Sequence, residues 1–590
     1  MTFQSTDDLR TDSPLRHAQS VTFDRPLDLE LGGELRGVRC AFETWGRLDD
    51  QASNAILVCH AISGDSHAAK HDDDDAPGWW DALIGPGKPI DTDRFFVVCP
   101  NVLGGCRGTT GPGDINPETL RPYGADFPSI TIGDMVAVQK RLADHLGVRR
   151  WRAVVGGSLG GHQILTWITR YPDSAQTCIA IATSARLTSQ ALGFDVIGRN
   201  AIQSDPDFAG GQYYDQPRRP DTGLAIARML GHITYLSSEA MDAKFDPDRH
   251  DPRQIASDFE QRFSVGSYLA HQGQKFVTRF DANSYITLSM AMDLFDLGDT
   301  RLKLMERFDD AACDFLVVSF SSDWLFTSGQ SRDIVNALTA LDKPVTYAEI
   351  TSDAGHDAFL IQSDIQQYGP LIRAKLGIRA KSGPIDDSEV SLSASDRAIL
   401  DLIPGGASVL DLGCGRGELL SVLAARGCHR VIGVEVAQAN ILAAAARGLN
   451  VIDYDLNKGL PAFIDDQFDV VVLNETLQAV ENVESLFDEM LRVGRKAIVS
   501  FPNFAFRSLR DHYVKEGRSP KSPGQFDHEW FNTPNRRFPS IIDVLDFCDD
   551  RGVIVDDAIY LDSVDGRMVT AQEDPNLNAD IAVLVLRAKS

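Results

Sequence analysis

The chain has 590 residues, of which 43% are hydrophobic and 24% charged, and its 57 basic and 84 acidic side chains give a formal net charge of −27. That length exceeds what one hydrophobic core serves, so at least two separately packed domains are expected. The acid surplus repels nucleic-acid phosphates and anionic membranes, and no apolar run approaches the ~20 residues a membrane span requires, so neither nucleic acid nor membrane is an expected partner.

The first residues, MTFQSTDDLRTDSPLRHAQS, are polar and acidic and lack the basic start and apolar stretch of a secretory signal. A cytoplasmic protein is expected. The nine cysteines form no CxxC pair and no His/Cys cluster at ligand spacing. They are expected to be mostly buried thiols, with neither a disulfide framework nor structural zinc. The HDDDD run from His71 to Asp75 reads as a solvated loop, and no metal is expected.

Strand-like runs AILVCHA (Ala55 to Ala61), FFVVCPN (Phe95 to Asn101), WRAVVGG (Trp151 to Gly157) and CIAIAT (Cys178 to Thr183) alternate with helical patterns. This is α/β grammar. A stretch of helical periodicity from about Asp195 to Arg307 reads as an inserted lid, before strand signal returns at DFLVVSF (Asp314 to Phe320). Residues 379–393, rich in Ser, Asp, Gly and Pro, read as a linker between a domain over 1–378 and a second over 394–590. The second shows a fresh α/β alternation through SVLDLG, VIGVEV, FDVVVLN and KAIVSF. No internal repeat relates the halves, so two unlike domains are joined.

Ser158 lies in VVGGSLGGHQILTW, a strand followed at once by Gly-x-Ser-x-Gly and then a helix. That is the context of the nucleophile elbow of the α/β-hydrolase fold. The tight turn leaves no room for side chains at Gly156 and Gly160, and the helix N-terminus offers free amides to developing negative charge. In this fold the acid and the base follow the serine in that chain order, and Asp323 in SSDWLF and His356 in DAGHDAFL both follow strand-like runs. His356 is assigned as general base, Asp323 as the group that orients it, and the Leu159 amide as one oxyanion donor. By analogy with hydrolase oxyanion loops, the second donor is placed at Ile62. Taken singly, His356 and Asp323 are no more than a loop histidine and a turn carboxylate; together with Ser158 they outweigh that reading. His60, His67, His162 and His232 stand in the wrong chain order for the base and are left as packing or pocket residues.

Residues 23–376 resemble the homoserine O-acyltransferases of methionine biosynthesis, the MetX family. The likeness rests on LVCHAISGDSHAA, GWWDALIGPGKPIDT, CPNVLGGCRGTTGP, RPYGADFPSITIGDMV, GGSLGG, LAIARMLGHITYLS, SDWLF and GHDAFL. It implies Ser158, Asp323 and His356 as the triad, and Arg228 and Asp357 as the homoserine-binding pair. An amino-acid zwitterion needs a cation for its carboxylate and an anion for its ammonium, which these two supply. It also implies a homodimer. His162 stands where Met is expected after the elbow, and Thr327 where Pro often follows SDWLF; both bear on pocket shape.

Val409 to Gly417 read VLDLGCGRG, a strand ending in Asp411 with a turn carrying Gly413 and Gly415, and Glu435 ends the next strand. An acid about 20 residues after such a turn can accept from both ribose hydroxyls of a bound nucleotide, and Asp455 follows the third strand as an adenine neighbour. A tight turn with no ligand is the plain alternative. Residues 394–548 resemble the MetW family through DLGCGRGELL, GVEV, LNETLQAV, EMLRVGRKAIVSFPNF and EWFNTPNRRF. The resemblance implies a Rossmann-like class I methyltransferase fold that binds S-adenosylmethionine, without naming a methyl acceptor.

The combined reading is a ping-pong acyltransferase that moves an acetyl group from acetyl-CoA to L-homoserine. Leu325, two residues after Asp323, is apolar where succinyl users of the family place Arg, which favours acetyl-CoA. The alternatives are a succinyl-CoA enzyme, serine in place of homoserine, a simple ester hydrolase, and a second domain that only binds.

Overall fold

The computed structural model describes residues 15–245, 264–378, 392–519, 531–533, 535–563 and 566–589. Residues 379–391 of the expected linker, and Glu529, Trp530 and Pro534 of the EWFNTPNRRF motif, lie outside the described residues. The chain divides into two compact units, Met1–Pro344 with Glu349–Leu376, and Val345–Ala348 with Gly377–Ser590.

The strands of the first sheet are β1 (Gln19–Thr22), β2 (Arg39–Trp45), β3 (Ala55–Cys59), β4 (Phe96–Pro100), β5 (Ala153–Gly157), β6 (Thr177–Ile181), β7 (Asp314–Phe320) and β8 (Val345–Ile350). They run in the order β1-β2-β4-β3-β5-β6-β7-β8. The β1–β2 and β2–β4 pairs are antiparallel, and the pairs from β4 through β7 are parallel. Every residue of β3, β5 and β6 is buried, as a parallel sheet covered on both faces requires. The helix Leu159–Arg170 packs on β3, β5 and β6, and the helices Ser328–Ala340 and Gln362–Lys375 on β7. This is the α/β-hydrolase fold.

Between β6 and β7 stand the lid helices Ser189–Gln203, Asp221–Tyr235, Ser238–Phe245, Ser264–Val277 and Ala282–Asp293. The side chains of Thr188 and Asp281 cap the first and last of these by accepting from backbone amides one turn on. The lid therefore begins before the expected Asp195. It also ends before Arg307: the helix Arg301–Phe308 packs on Ser328–Ala340 and Leu159–Arg170, so it belongs to the layer against the sheet. Helical periodicity alone does not distinguish these two destinations.

The second unit's strands are β9 (Ser408–Leu412), β10 (Arg430–Glu435), β11 (Asn450–Asp453), β12 (Phe468–Asn474), β13 (Gly494–Pro502), β14 (Ile554–Asp562), β15 (Arg567–Met568) and β16 (Ile581–Arg587). Their order is β11-β10-β9-β12-β13-β16-β14-β15, with β16 antiparallel to both β13 and β14. The pairs from β11 through β13 are parallel, as in an open α/β sheet. The strand sequence reverses on either side of β9, and such a switch point opens a crevice at the carboxyl ends of the strands. No helix among the described residues is long and apolar enough to cross a membrane. All nine cysteines are free thiols, and only Cys106 is less than buried.

Candidate active site

Ser158 joins the end of β5 to the helix Leu159–Arg170 with φ 56° and ψ −125°. For a residue with a side chain this conformation costs of order 1–3 kcal/mol and persists only where the surroundings impose it. They do so here: its N–H donates to the carbonyls of Ile181 and Ala182 at 3.2 Å, and its carbonyl accepts from Thr183 Oγ1 at 3.1 Å. A Cβ on Gly156 would overlap the Gly160 carbonyl, and one on Gly160 would overlap that of Cys59. The elbow is thus pressed against the end of β3. Leu159 opens the helix, so its amide belongs to the first turn, whose donors have no intrahelical acceptor.

Asp323 follows β7 and His356 follows β8, so both stand at strand ends on the rim that carries Ser158. Asp323 Oδ2 lies 2.8 Å from His356 Nδ1, while its Oδ1 accepts from the amides of Leu325 at 3.0 Å and Phe326 at 2.8 Å. The carboxylate is therefore fixed by its own turn and aimed at the imidazole. Burial works against the charged ring of His356, but the charge and hydrogen bond of Asp323, with Asp357 behind, outweigh it and raise the histidine above its ordinary value. Ser158, Asp323 and His356 are each buried.

One cavity brings together Ser158, Ile62, Leu325 and Phe326. Its other walls come from the lid, including Ala191, Phe194 and Asp195 of the first lid helix, Leu230, Gly231, Thr234 and Tyr235 of the second and Tyr285 of the last. Asp195, Tyr235 and Tyr285 were not singled out in the sequence, because lid residues meet the elbow only through the tertiary fold. Burial, then the neighbouring Asp293, pushes the Asp195 carboxyl well up. No Lys or Arg lines this cavity among the described residues.

Arg228 lies on the second lid helix, half-buried, with its guanidinium 5.5 Å from the Tyr235 ring centre and 4.8 Å from that of Phe276. The Tyr235 ring in turn lies 5.9 Å from His356. Burial pushes the Asp357 carboxyl up, although the charges of His356 and Arg228 draw it down. A cation and a carboxyl thus flank the rim that carries Ser158 and His356.

The remaining histidines take other places. His60 accepts the Val102 amide at Nε2 at 3.1 Å, which leaves Nδ1–H to donate to the Ala61 carbonyl at 2.8 Å, so it ties two loops beside the elbow. His162 stacks on Phe295 at 4.2 Å, and burial lowers it to about 3. His232 is buried beside Arg228, and neither of its ring nitrogens has a partner among the described residues. His67 faces Glu43, as does His71 at 2.8 Å. The expectation of a solvated HDDDD loop is corrected accordingly: Asp72 to Asp74 are exposed, but His71 and Asp75 turn inward.

In the second unit Glu435 ends β10 and accepts at Oε1 from the amides of Val436 and Ala437, and at Oε2 from that of Gly415 at 3.0 Å. Gly413 has φ 76°, and a Cβ there would come 2.5 Å from Thr476 Oγ1. Asp411 is buried with one carboxylate oxygen lacking any partner among the described residues, and burial, then Asp396 and Glu435, pushes it up to about 8. Asp455, two residues beyond β11, accepts from the Asn457 amide in its own turn. An acid held at a strand end, a left-handed glycine turn and an orphaned buried oxygen fit a nucleotide with hydroxyl and amine donors.

Residues 394–586 match the family described as methionine biosynthesis protein MetW, and residues 54–362 that described as alpha/beta hydrolase fold. The bifunctional methionine biosynthesis protein MetXA/MetW of Rhodopirellula baltica is 69% identical, covering 99% of this chain and 96% of its own. The chain belongs to the bifunctional MetXA/MetW family. Its MetX half is 49% identical to a homoserine O-succinyltransferase of Acidithiobacillus ferrooxidans, over 61% of this chain and 94% of that one. Two solved structures resemble the MetX half. Esterase E22 has TM-score 0.56 at 29% identity, covering 61% of this chain and all (100%) of its own. A homoserine O-acetyltransferase from Bacillus anthracis has TM-score 0.55 at 27% identity, covering 61% and 97%.

Proposed function

We propose that the MetX half is a homoserine O-acyltransferase of methionine biosynthesis that takes its acyl group from acetyl-CoA and forms O-acetyl-L-homoserine through an acetyl-Ser158 intermediate. His356 removes the Ser158 proton as the hydroxyl attacks the thioester carbonyl, and the amides of Leu159 and Ile62 receive the oxyanion. The tetrahedral adduct collapses, the C–S bond breaks and coenzyme A leaves as the thiol, protonated by His356. The homoserine hydroxyl, deprotonated by the same imidazole, then attacks the acetyl carbonyl and releases Ser158. Arg228 pairs with the homoserine carboxylate and Asp357 with its ammonium. The lid residues over Ser158 support transfer over hydrolysis, because an acyl-enzyme screened from water waits for the amino acid.

The observation that carries the donor assignment is the lining of the Ser158 cavity, which presents Leu325 and a carboxyl at Asp195 but no Lys or Arg among the described residues. A succinyl group would bring a second carboxylate against it. An unpaired buried anion costs far more than the added contact area returns. The likeness to a homoserine O-succinyltransferase favours the second reading, a succinyl-CoA enzyme. Comparing kcat/KM for the two thioesters decides between them: acetyl-CoA should win, and Leu325→Arg should move preference toward succinyl-CoA. A wild-type preference for succinyl-CoA overturns the assignment. Homoserine and serine differ by a methylene, worth only about 1–3 kcal/mol of discrimination, so both acceptors belong in that comparison.

For the MetW half we propose a binding site for S-adenosylmethionine or its demethylated product. Glu435 is suited to hold the ribose hydroxyls and the Gly413 to Gly415 turn to let backbone approach the ligand, with Asp455 near the adenine. No group here is assigned as a methylation base, so binding is proposed and methyl transfer is not.

A further inference from the structure

Glu43 lies in the middle of β2 and is fully buried. Its Oε2 is 2.9 Å from His67 Nδ1 and 2.8 Å from His71 Nε2, and one potential ligand atom from each of the three residues lies within 4.8 Å of the others. The two rings are held from behind. His67 Nε2 lies 2.9 Å from the Ala76 carbonyl, which fixes the ring and aims Nδ1 at Glu43. This is the arrangement by which proteins orient metal-ligating histidines, one nitrogen on a carbonyl and the other toward the ion. His71 stacks between His17 at 4.2 Å and Trp45 at 4.9 Å, and its own amide donates to Asp75 Oδ2 at 2.9 Å. Beside it, His17 Nε2 is buried with no hydrogen-bond partner among the described residues, 3.7 Å from Asp75 Oδ2.

We propose that Glu43, His67 and His71 form a binding site for a divalent transition ion of the zinc type, with two imidazole ligands and one carboxylate. Mixed nitrogen and oxygen donors of this kind select zinc or cobalt over magnesium or calcium, which take oxygen almost alone. Bonds of ~2.0–2.1 Å to a tetrahedral ion set neighbouring ligand atoms roughly 3.3 Å apart. The two carboxylate–imidazole separations of 2.8 and 2.9 Å need open by only a few tenths of an ångström, and the two imidazole nitrogens lie within 4.8 Å of each other. The fourth position is left to water. The ion braces β2 to the loop after β3. Trp80, farther along that loop, donates Nε1–H to the Phe359 carbonyl at 2.8 Å, three residues past His356. Without an ion the same groups satisfy one another as an ion pair, and the test must separate the two.

Full-length protein stripped with chelator and dialysed is titrated with Zn2+ alone by calorimetry, and with Co2+ by visible absorption, alongside His71→Asn and His67→Gln. We expect one ion per chain, ligand-field bands of nitrogen-coordinated Co2+ and a higher Tm with Zn2+, all lost in variants whose circular dichroism matches wild type. The proposal is overturned if Zn2+ neither binds wild type nor raises its Tm. It is equally overturned if a folded variant binds as wild type does, which would place the ion elsewhere on the acidic surface.

Discussion

Replacing Ser158 by Ala removes the only atom to which the acetyl group is proposed to bond, while the left-handed backbone stays in place. Transfer should fall by several orders of magnitude with Tm nearly unchanged, because residues of a triad act as a unit. Near-normal turnover would refute the assignment. Arg228→Ala should leave release of coenzyme A from the donor intact and raise the homoserine requirement, since only the second half-reaction is proposed to use that guanidinium. Rapid-quench measurement of each half-reaction checks it; equal loss in both would assign Arg228 to the donor or the fold. The pH profile follows from His356. As the proposed base it must be neutral, and Asp323 and Asp357 stabilise its charged form, so kcat/KM should fall as pH drops through a value above the ordinary ~6.5. Asp323→Asn removes the larger stabilising charge, so the acid limb should move to lower pH while activity drops by about 10⁴-fold. An acid limb unmoved in that variant would mean another group titrates.

At this scale the sequence carries what local motifs can encode. Gly-x-Ser-x-Gly after a strand, and an Asp and a His after later strands, are legible because the fold imposes their chain order. Asp195, Tyr235 and Tyr285 are not, since they reach the cavity from lid helices with ordinary amphipathic patterns. Nor was the inward turn of His71 legible, because an acidic run hides which of its members meets the buried carboxylate of Glu43 on a distant strand.

Among elements, the elbow is the most constrained. A Cβ on Gly160 would fall 2.1 Å from the Cys59 carbonyl oxygen at the end of β3, so even one methyl must push strand and helix apart. Gly160→Ala should destabilise the MetX half by about 1–3 kcal/mol and lower activity further by displacing the Leu159 amide. Scanning calorimetry reads the first effect, and an unchanged transition temperature would contradict the close approach. The central strands were readable as apolar runs because they are buried on both faces. The lid was readable as helical but not in extent, since the same periodicity that packs the lid also packs Arg301–Phe308 against the helix Ser328–Ala340.

For the whole molecule, the join of two α/β units was evident from length and from the break in periodicity, while the strand orders that define each fold arise from pairings far apart in sequence. The MetW half carries its own test: calorimetry should show S-adenosylmethionine or its demethylated product binding the full-length protein, weakened by Glu435→Ala and by Gly413→Val, whose side chain would meet Thr476. If neither nucleotide binds at millimolar concentration, the pocket reading fails. The proposed passage of an acetyl group through Ser158 to homoserine is tested most directly by intact-protein and peptide mass spectrometry after mixing with acetyl-CoA alone. The expected result is an acetyl group on Ser158 that persists in water and is discharged on adding homoserine, with O-acetyl-L-homoserine appearing in step. Acetyl on another residue, or an adduct lost to water as fast without homoserine as with it, would contradict the account.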